Sequence, residues 1–203
     1  MQTLKFETRE EWLEARRGKI TGSRLKDIIV KRGTGQKKGF YELIAERLAI
    51  PADGELPMDR GTRLEDVAIA RFTQETGREI DTSLIIWARD DNDSIAVSPD
   101  GVVKKSKDSE AVEVKCLNSA SHVEALVTHE IPKEYEDQVL QYFIVNDKLK
   151  KVYFVFYDPR MTVKDFFFFE VTRESLGEKI SEFKEYQVGI LEEVERIVKE
   201  LTF

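Results

Sequence analysis

Two short segments of the chain hold side chains that could do chemistry together. Pro99-Asp100 lies in the run IAVSPDGVV, and Glu113-Val114-Lys115 lies in EAVEVKCL. If the second run is a strand, alternation sends Val112, Val114 and Cys116 to one face and Glu113 and Lys115 to the other. A hairpin joining the two runs brings Asp100 near Glu113. Two carboxylates within reach of each other repel, which raises a pKa or calls for a cation. A hard divalent ion with oxygen ligands, most simply magnesium, resolves that repulsion. A lysine on the same face can then orient or deprotonate a water, or stabilise charge developing on a phosphate. The competing expectation is an E-x-K pair exposed on an edge strand, which is ordinary solubility chemistry.

The elements that would position these groups are legible around them. Trp12 to Val30 starts as a helix, pauses at ITGS and resumes, with Ser23 where an N-cap would sit. Lys31 to Gly39 is a basic, glycine-rich loop. FYELIAERLAI is an amphipathic helix stopped by Pro51, and PADGELPMDRG is a further loop. Arg63 to Gly77 predicts a helix with Leu64, Val67, Ala68, Ala70 and Phe72 on its apolar side and Gly77 as its stop. EIDTSLIIWARD reads as a strand ending in the turn DDND. The two paired strands follow. After them come a helix over IPKEYEDQVLQYFIVND with Pro132 near its start, strands at KKVYFVFYD and FFFFEV, and a long amphipathic C-terminal helix. This order predicts an α/β or α+β core around one central sheet, with the 203 residues forming a single domain.

Composition narrows the classes. The formal net charge of −7 gives no global basic footprint, although a local basic groove can sit on an acidic protein. The single cysteine, Cys116, allows no internal disulfide and no CxxC metal site. No apolar run reaches the roughly 18 to 20 residues of a membrane span, and the N-terminus lacks a signal-peptide pattern. A soluble, cytoplasmic protein is expected.

Asp100 after Pro99, followed by Glu113-x-Lys115, matches the signature of the PD-(D/E)xK nuclease superfamily. Further segments sharpen the match: WLEARRGKITGS, RGTRLEDVAIARF, SPDGVV, EVKC, DQVLQY and VYFVFYDPRM, in that order. Together the chain resembles the phage lambda exonuclease type of alkaline exonuclease, the YqaJ-like viral recombinase family. The resemblance implies a restriction-endonuclease-like α/β fold, with a mixed central sheet flanked by helices. It implies a 5′-to-3′ exonuclease that degrades linear double-stranded DNA and leaves a 3′ single strand for recombination by strand annealing. It assigns the metal to Asp100, Glu113 and the backbone carbonyl of Val114, with Mg2+ or Mn2+ as the ion and two ions in the site. Lys115 becomes the catalytic lysine, and Glu65 the helix glutamate that closes the site. Gln138 and Tyr142 border it, and Asp90 is a candidate for the acidic residue near a second metal. Arg16, Ser23 and Ser98 become the pocket for a DNA 5′-phosphate. Double-stranded DNA ends, a homotrimeric ring and a single-strand annealing protein are the implied partners, with no membrane. The alternatives are another PD-(D/E)xK endonuclease or structure-selective nuclease, and a catalytically inactive DNA-binding subunit of a recombination complex.

One departure stands out. The family carries an arginine a few residues after the ExKC stretch that also grips the 5′-phosphate. Here that stretch is LNSASHVEA, with Ser121 or His122 near the position. Cys116 is expected as a small core residue, His122 and His129 as structural or solvent-exposed, and the FFFF run as a buried strand carrying an aromatic patch.

Overall fold

The computed structural model describes residues 8, 11, 14, 36–49, 57–92, 94–105 and 109–202. Apart from Glu14, the expected helices of Trp12 to Val30 lie outside the described residues, as do most of the basic loop and both Arg16 and Ser23.

Among the described residues five α-helices and seven strands follow in order: α1 (Lys38–Leu48), α2 (Pro57–Thr76), β1 (Ile80–Asp81), β2 (Trp87–Ala88), β3 (Ala96–Val97), β4 (Gly101–Val103), β5 (Ser109–Lys115), α3 (Ser119–Thr128), α4 (Lys133–Val145), β6 (Leu149–Tyr157), β7 (Phe166–Thr172) and α5 (Gly177–Thr202). A five-stranded mixed sheet has the order β1-β4-β5-β6-β7, and β2 pairs with β3 in a separate two-stranded sheet. The β1–β4 and β4–β5 pairs are antiparallel. In β6, Val152 to Phe156 are all fully buried, the near-continuous apolar run of a strand covered on both faces. Phe166 to Phe169 of β7 are each half-buried.

The chain divides into two compact units. One comprises Met1–Asp66, Lys115–Glu130 and Phe156–Phe167, and the other Val67–Val114, Ile131–Val155 and Phe168–Phe203. In the first, Tyr41, Ala45 and Ala49 pack with Ala120, Val123 and Met161, so the apolar spacing of α1 is answered by α3. In the second, the Phe72 ring lies 5.1 Å from Tyr153 and 5.3 Å from Phe168, anchoring the C-terminal half of α2.

Three expectations need correction. Helix α2 begins at Pro57, not Arg63, because proline suits the first turn of a helix, where its missing N–H is no loss. Its buried face is Leu64, Ala68, Ile69 and Phe72, while Val67 and Ala70 are exposed. It does stop at Gly77, whose φ of 68° is left-handed. The stretch EIDTSLIIWARD is not one strand but β1 and β2, on different sheets. Asp81 Oδ1 accepts from the Ser83 amide at 3.0 Å and its hydroxyl at 2.6 Å, and this local turn competes with the ladder. The stretch after Cys116 contains a further helix, α3, capped by Asn118 Oδ1 accepting from the Ser121 amide at 3.0 Å. Among the described residues no helix is long and apolar enough to cross a membrane.

Candidate active site

Strand register brings the two carboxylates together. Gly101 pairs with Val112 and Val102 with Ala111, so one step further along the same register Asp100 stands opposite Glu113. Residues directly opposite in an antiparallel pair share a face, with Cβ atoms about 5 Å apart. The residue after Asp100 has to be small. A Cβ on Gly101 would meet Ile80 Cγ2 at 2.4 Å, so glycine is what lets β1 close over β4 beside the acidic pair. Asp100 Oδ2 accepts from the Val114 amide at 2.7 Å. The N–H and C=O of one strand residue face the same neighbour, so the Val114 carbonyl points to the edge that Asp100 occupies.

Glu113 is only 2% exposed, in a strand whose neighbouring residues Ala111, Val112 and Val114 are also buried. A carboxylate is not buried cheaply, and helix α4 supplies donors. Gln138 Nε2 donates to Glu113 Oε1 at 2.6 Å, and the Tyr142 hydroxyl donates to Oε2. Gln138 and Tyr142 are four residues apart on α4 and so lie on one face. Tyr142 is fully buried, its hydroxyl also lies 3.2 Å from the Ser98 carbonyl, and the Trp87 ring meets it edge-on. Gln141 Nε2 donates to the Ala96 carbonyl at 3.2 Å, and the Ser98 hydroxyl donates to the Ile85 carbonyl at 2.7 Å. The segment leading into Asp100 is therefore pinned by α4.

This donor set suits a hard cation. It is all oxygen: two carboxylates on one face with backbone carbonyls at the strand edge. Among the described residues no group of three or more His, Cys, Asp or Glu side chains is placed to hold a metal. A magnesium-class ion needs no such cage, since it keeps several waters and is held by one or two carboxylates. Asp100 and Glu113, with the Val114 carbonyl, are the residues that could hold it.

The profile of the YqaJ-like viral recombinase domain matches residues 11–148. The chain belongs to this family. An alkaline exonuclease, LHK-Exo, from Laribacter hongkongensis is 29% identical, with a TM-score of 0.62 over 95% of this chain and 98% of that one. The same enzyme solved in complex with dAMP aligns at 28% identity and a TM-score of 0.60, with the same coverage. No curated protein sequence matches the chain. The fold is the restriction-endonuclease-like α/β fold, and the chain is a nuclease of the lambda exonuclease family.

The other residues that the family resemblance singles out are placed as follows. Lys115 ends β5 two residues beyond Glu113, so alternation gives both the same strand face. Glu65 is half-buried on α2. Asp90 is exposed in the turn after β2, on the wall of a cleft of about 550 Å3 lined also by Trp87, Arg89, Asp147 and Lys184. His122 is fully buried, with Nε2 2.8 Å from the Lys164 carbonyl and its ring against Phe167. It is a core residue and offers nothing to a DNA end. Cys116 is half-buried rather than core. Ser121 carries a hydrogen bond from the Lys38 ammonium, which also lies 3.5 Å from Glu124.

Arg60 and Asp158 were not among the residues that the sequence singled out. Arg60 is 6% exposed and donates to the Cys116 and Leu117 carbonyls and to Asp158 Oδ1. Asp158 is fully buried and accepts from Ser119 and Arg160 as well. Burial pushes its carboxyl up, but the hydrogen bonds from Arg160 and Ser119 outweigh it and hold the group below the ordinary carboxylate value. The DPR of YDPRM was a visible signal, but Arg60 stands 98 positions away, with nothing local to mark it.

Proposed function

We propose that the protein is a divalent-metal-dependent exonuclease that resects linear duplex DNA from its 5′ ends, leaving a 3′ single strand for recombination by strand annealing. The observation that carries this is Asp100, bonded through Oδ2 to the Val114 amide, beside a buried Glu113 whose two oxygens are each fixed by a donor from α4. The lambda exonuclease family supplies the exonucleolytic mode, and dAMP, held by LHK-Exo, is of the product class expected from it.

Asp100, Glu113 and the Val114 carbonyl would hold Mg2+. When bound, that ion supplies Lewis-acid stabilisation of charge on the scissile phosphate. Gln138 and Tyr142 keep the Glu113 carboxylate in one plane. Lys115 orients the attacking water and offers its ammonium to the developing phosphate charge. Glu65 assists at the water or at a second ion. Ser98, with Arg16 and Ser23, receives the terminal phosphate, where an arginine fork and hydroxyls suit the extra charge of an end. A homotrimer acting with a single-strand annealing protein completes the proposal.

The test is cleavage of linear duplex labelled at either end, with Mg2+ or EDTA, beside a covalently closed circle. Loss of 5′ label with Mg2+, a spared circle and a surviving complementary strand are the expected results. Cutting of the circle indicates an endonuclease instead. Lys115→Ala is expected to abolish cleavage while leaving fold and DNA binding intact, and undiminished turnover would sink the assignment of that lysine.

A further inference from the structure

The network around Arg60 has a use that stability alone does not explain. Arg60 Nη1 donates to the carbonyls of Cys116 at 2.6 Å and Leu117 at 2.8 Å, and Nη2 donates to Asp158 Oδ1 at 2.6 Å. Those two carbonyls belong to the residues directly after Lys115. Asp158 is itself held, its Oδ2 accepting from the Ser119 hydroxyl at 2.5 Å and its Oδ1 from the Arg160 amide at 3.1 Å and Nε at 3.0 Å. On the other side of Lys115 along the chain, the Val114 amide is bonded to Asp100. The backbone on both sides of Lys115 is therefore fixed by a charged side chain.

We propose that Arg60, seated on Asp158, is a positioning residue for Lys115. Peptide carbonyls beyond the end of a strand have lost their ladder partners and must be satisfied some other way. A buried guanidinium is a demanding solution, since well-packed apolar residues often serve stability as well or better. What its rigid planar fork adds is direction. Two carbonyls and a carboxylate on one guanidinium set where β5 ends and how the chain leaves it, and hence where the lysine side chain starts. Lysine could carry the charge of Arg60 but not the fork.

The proposal rests on the reading of Lys115 as the catalytic lysine, and the experiment separates the two. Full-length Arg60→Gln, Arg60→Lys, Asp158→Asn and Lys115→Ala are compared on end-labelled linear duplex with Mg2+. In parallel, the amine-labelling rate of Lys115 is read by mass spectrometry in the wild type and in the Arg60 and Asp158 variants, with Lys151 and Lys184 as internal references. In Arg60→Gln, kcat is expected to fall by about 100-fold, the scale of a 1 Å misplacement. KM for duplex ends holds, labelling of Lys115 changes relative to Lys151, and Arg60→Lys recovers part of the loss. An unchanged kcat, or a lower kcat with unaltered Lys115 labelling, overturns the proposal. If circular dichroism finds Arg60→Gln unfolded, Arg60→Lys and Asp158→Asn decide on the same two readouts. Undiminished turnover in Lys115→Ala overturns the catalytic reading instead, and it is told apart because that variant leaves Arg60 and Asp158 intact.

Discussion

Gln138 Nε2 lies 2.6 Å from Glu113 Oε1, so a helix side chain sets the plane of the buried carboxylate on the neighbouring strand. Tyr142, one helical turn on, occupies the other oxygen. Donors to a metal-binding carboxylate fix its orientation and tune its basicity, and their loss lowers metal affinity or activity.

Tyr142→Phe and Gln138→Leu are therefore expected to raise the Mg2+ concentration needed for half-maximal cleavage by about 10- to 100-fold. A Mg2+ titration of cleavage, with circular dichroism to confirm the fold, checks this. Midpoints equal to the wild type's would mean that the two side chains only pack α4 against the sheet. EDTA is expected to remove activity in all three proteins.

Gly101→Ala tests the close approach beside the acidic pair. The added methyl would lie 2.4 Å from Ile80 Cγ2, an atom next to the backbone with little freedom to retreat. Overpacking of this kind destabilises by about 1–3 kcal/mol. Urea denaturation reads it as a lower midpoint, and Ile80→Ala in the same chain should return part of the loss. A midpoint unchanged by Gly101→Ala would show that β1 yields freely.

Much of this arrangement was legible in the sequence, for identifiable reasons. The helices α4 and α5 announce themselves because one period of apolar residues runs through each, and β6 and β7 because each holds a short, near-continuous apolar run. Asp100 and Glu113 were legible as a pair because two apolar runs separated only by the polar stretch KKSKDSE read as neighbouring strands. What escaped depended on distant or very local effects. Helix α3 is short, begins on an Asn cap and ends at His129 in a left-handed conformation, with no glycine to mark the stop. The break between β1 and β2 hangs on one aspartate turn. Arg60 is an ordinary helix arginine until the fold brings Asp158 to it.

The buried histidine predicts a pH dependence of stability. His122 has its pKa held below the ordinary value of 6.5 by burial, which outweighs the Lys164 carbonyl, Asp158 and Asp165, while Arg60 lowers it further. The folded state thus keeps the ring neutral where the unfolded chain would protonate it. Stability from this group is fully present above pH 6.5 and is lost as pH falls below that value towards the folded pKa. Urea midpoints are expected to drop between about pH 7.5 and 5.5, with a smaller drop in His122→Gln. Equal slopes for the two proteins would assign the dependence to other groups.

Lys38 offers a direct test of the proposed grip on a DNA end. Ser121 occupies the position near which the family carries an arginine, and the Lys38 ammonium is hydrogen-bonded to it. We therefore expect Lys38 to supply the cation that the stretch after Cys116 lacks. The Lys38–Glu124 pair is nearly half exposed, so its loss should change stability by less than about 1 kcal/mol. A charge-assisted contact to a terminal phosphate is stronger, about 1.5–3 kcal/mol, or roughly tenfold to a hundredfold in rate constant ratio. Lys38→Ala should accordingly lower the preference for 5′-phosphate over 5′-hydroxyl ends by about tenfold or more, while cleavage of the 5′-hydroxyl substrate stays near wild type. Initial rates on the two substrates give the ratio directly, with Glu124→Gln as the control that removes the ion pair without removing the lysine. A preference unchanged in Lys38→Ala would leave Lys38 as a surface partner of Glu124 and send the search for the missing cation elsewhere.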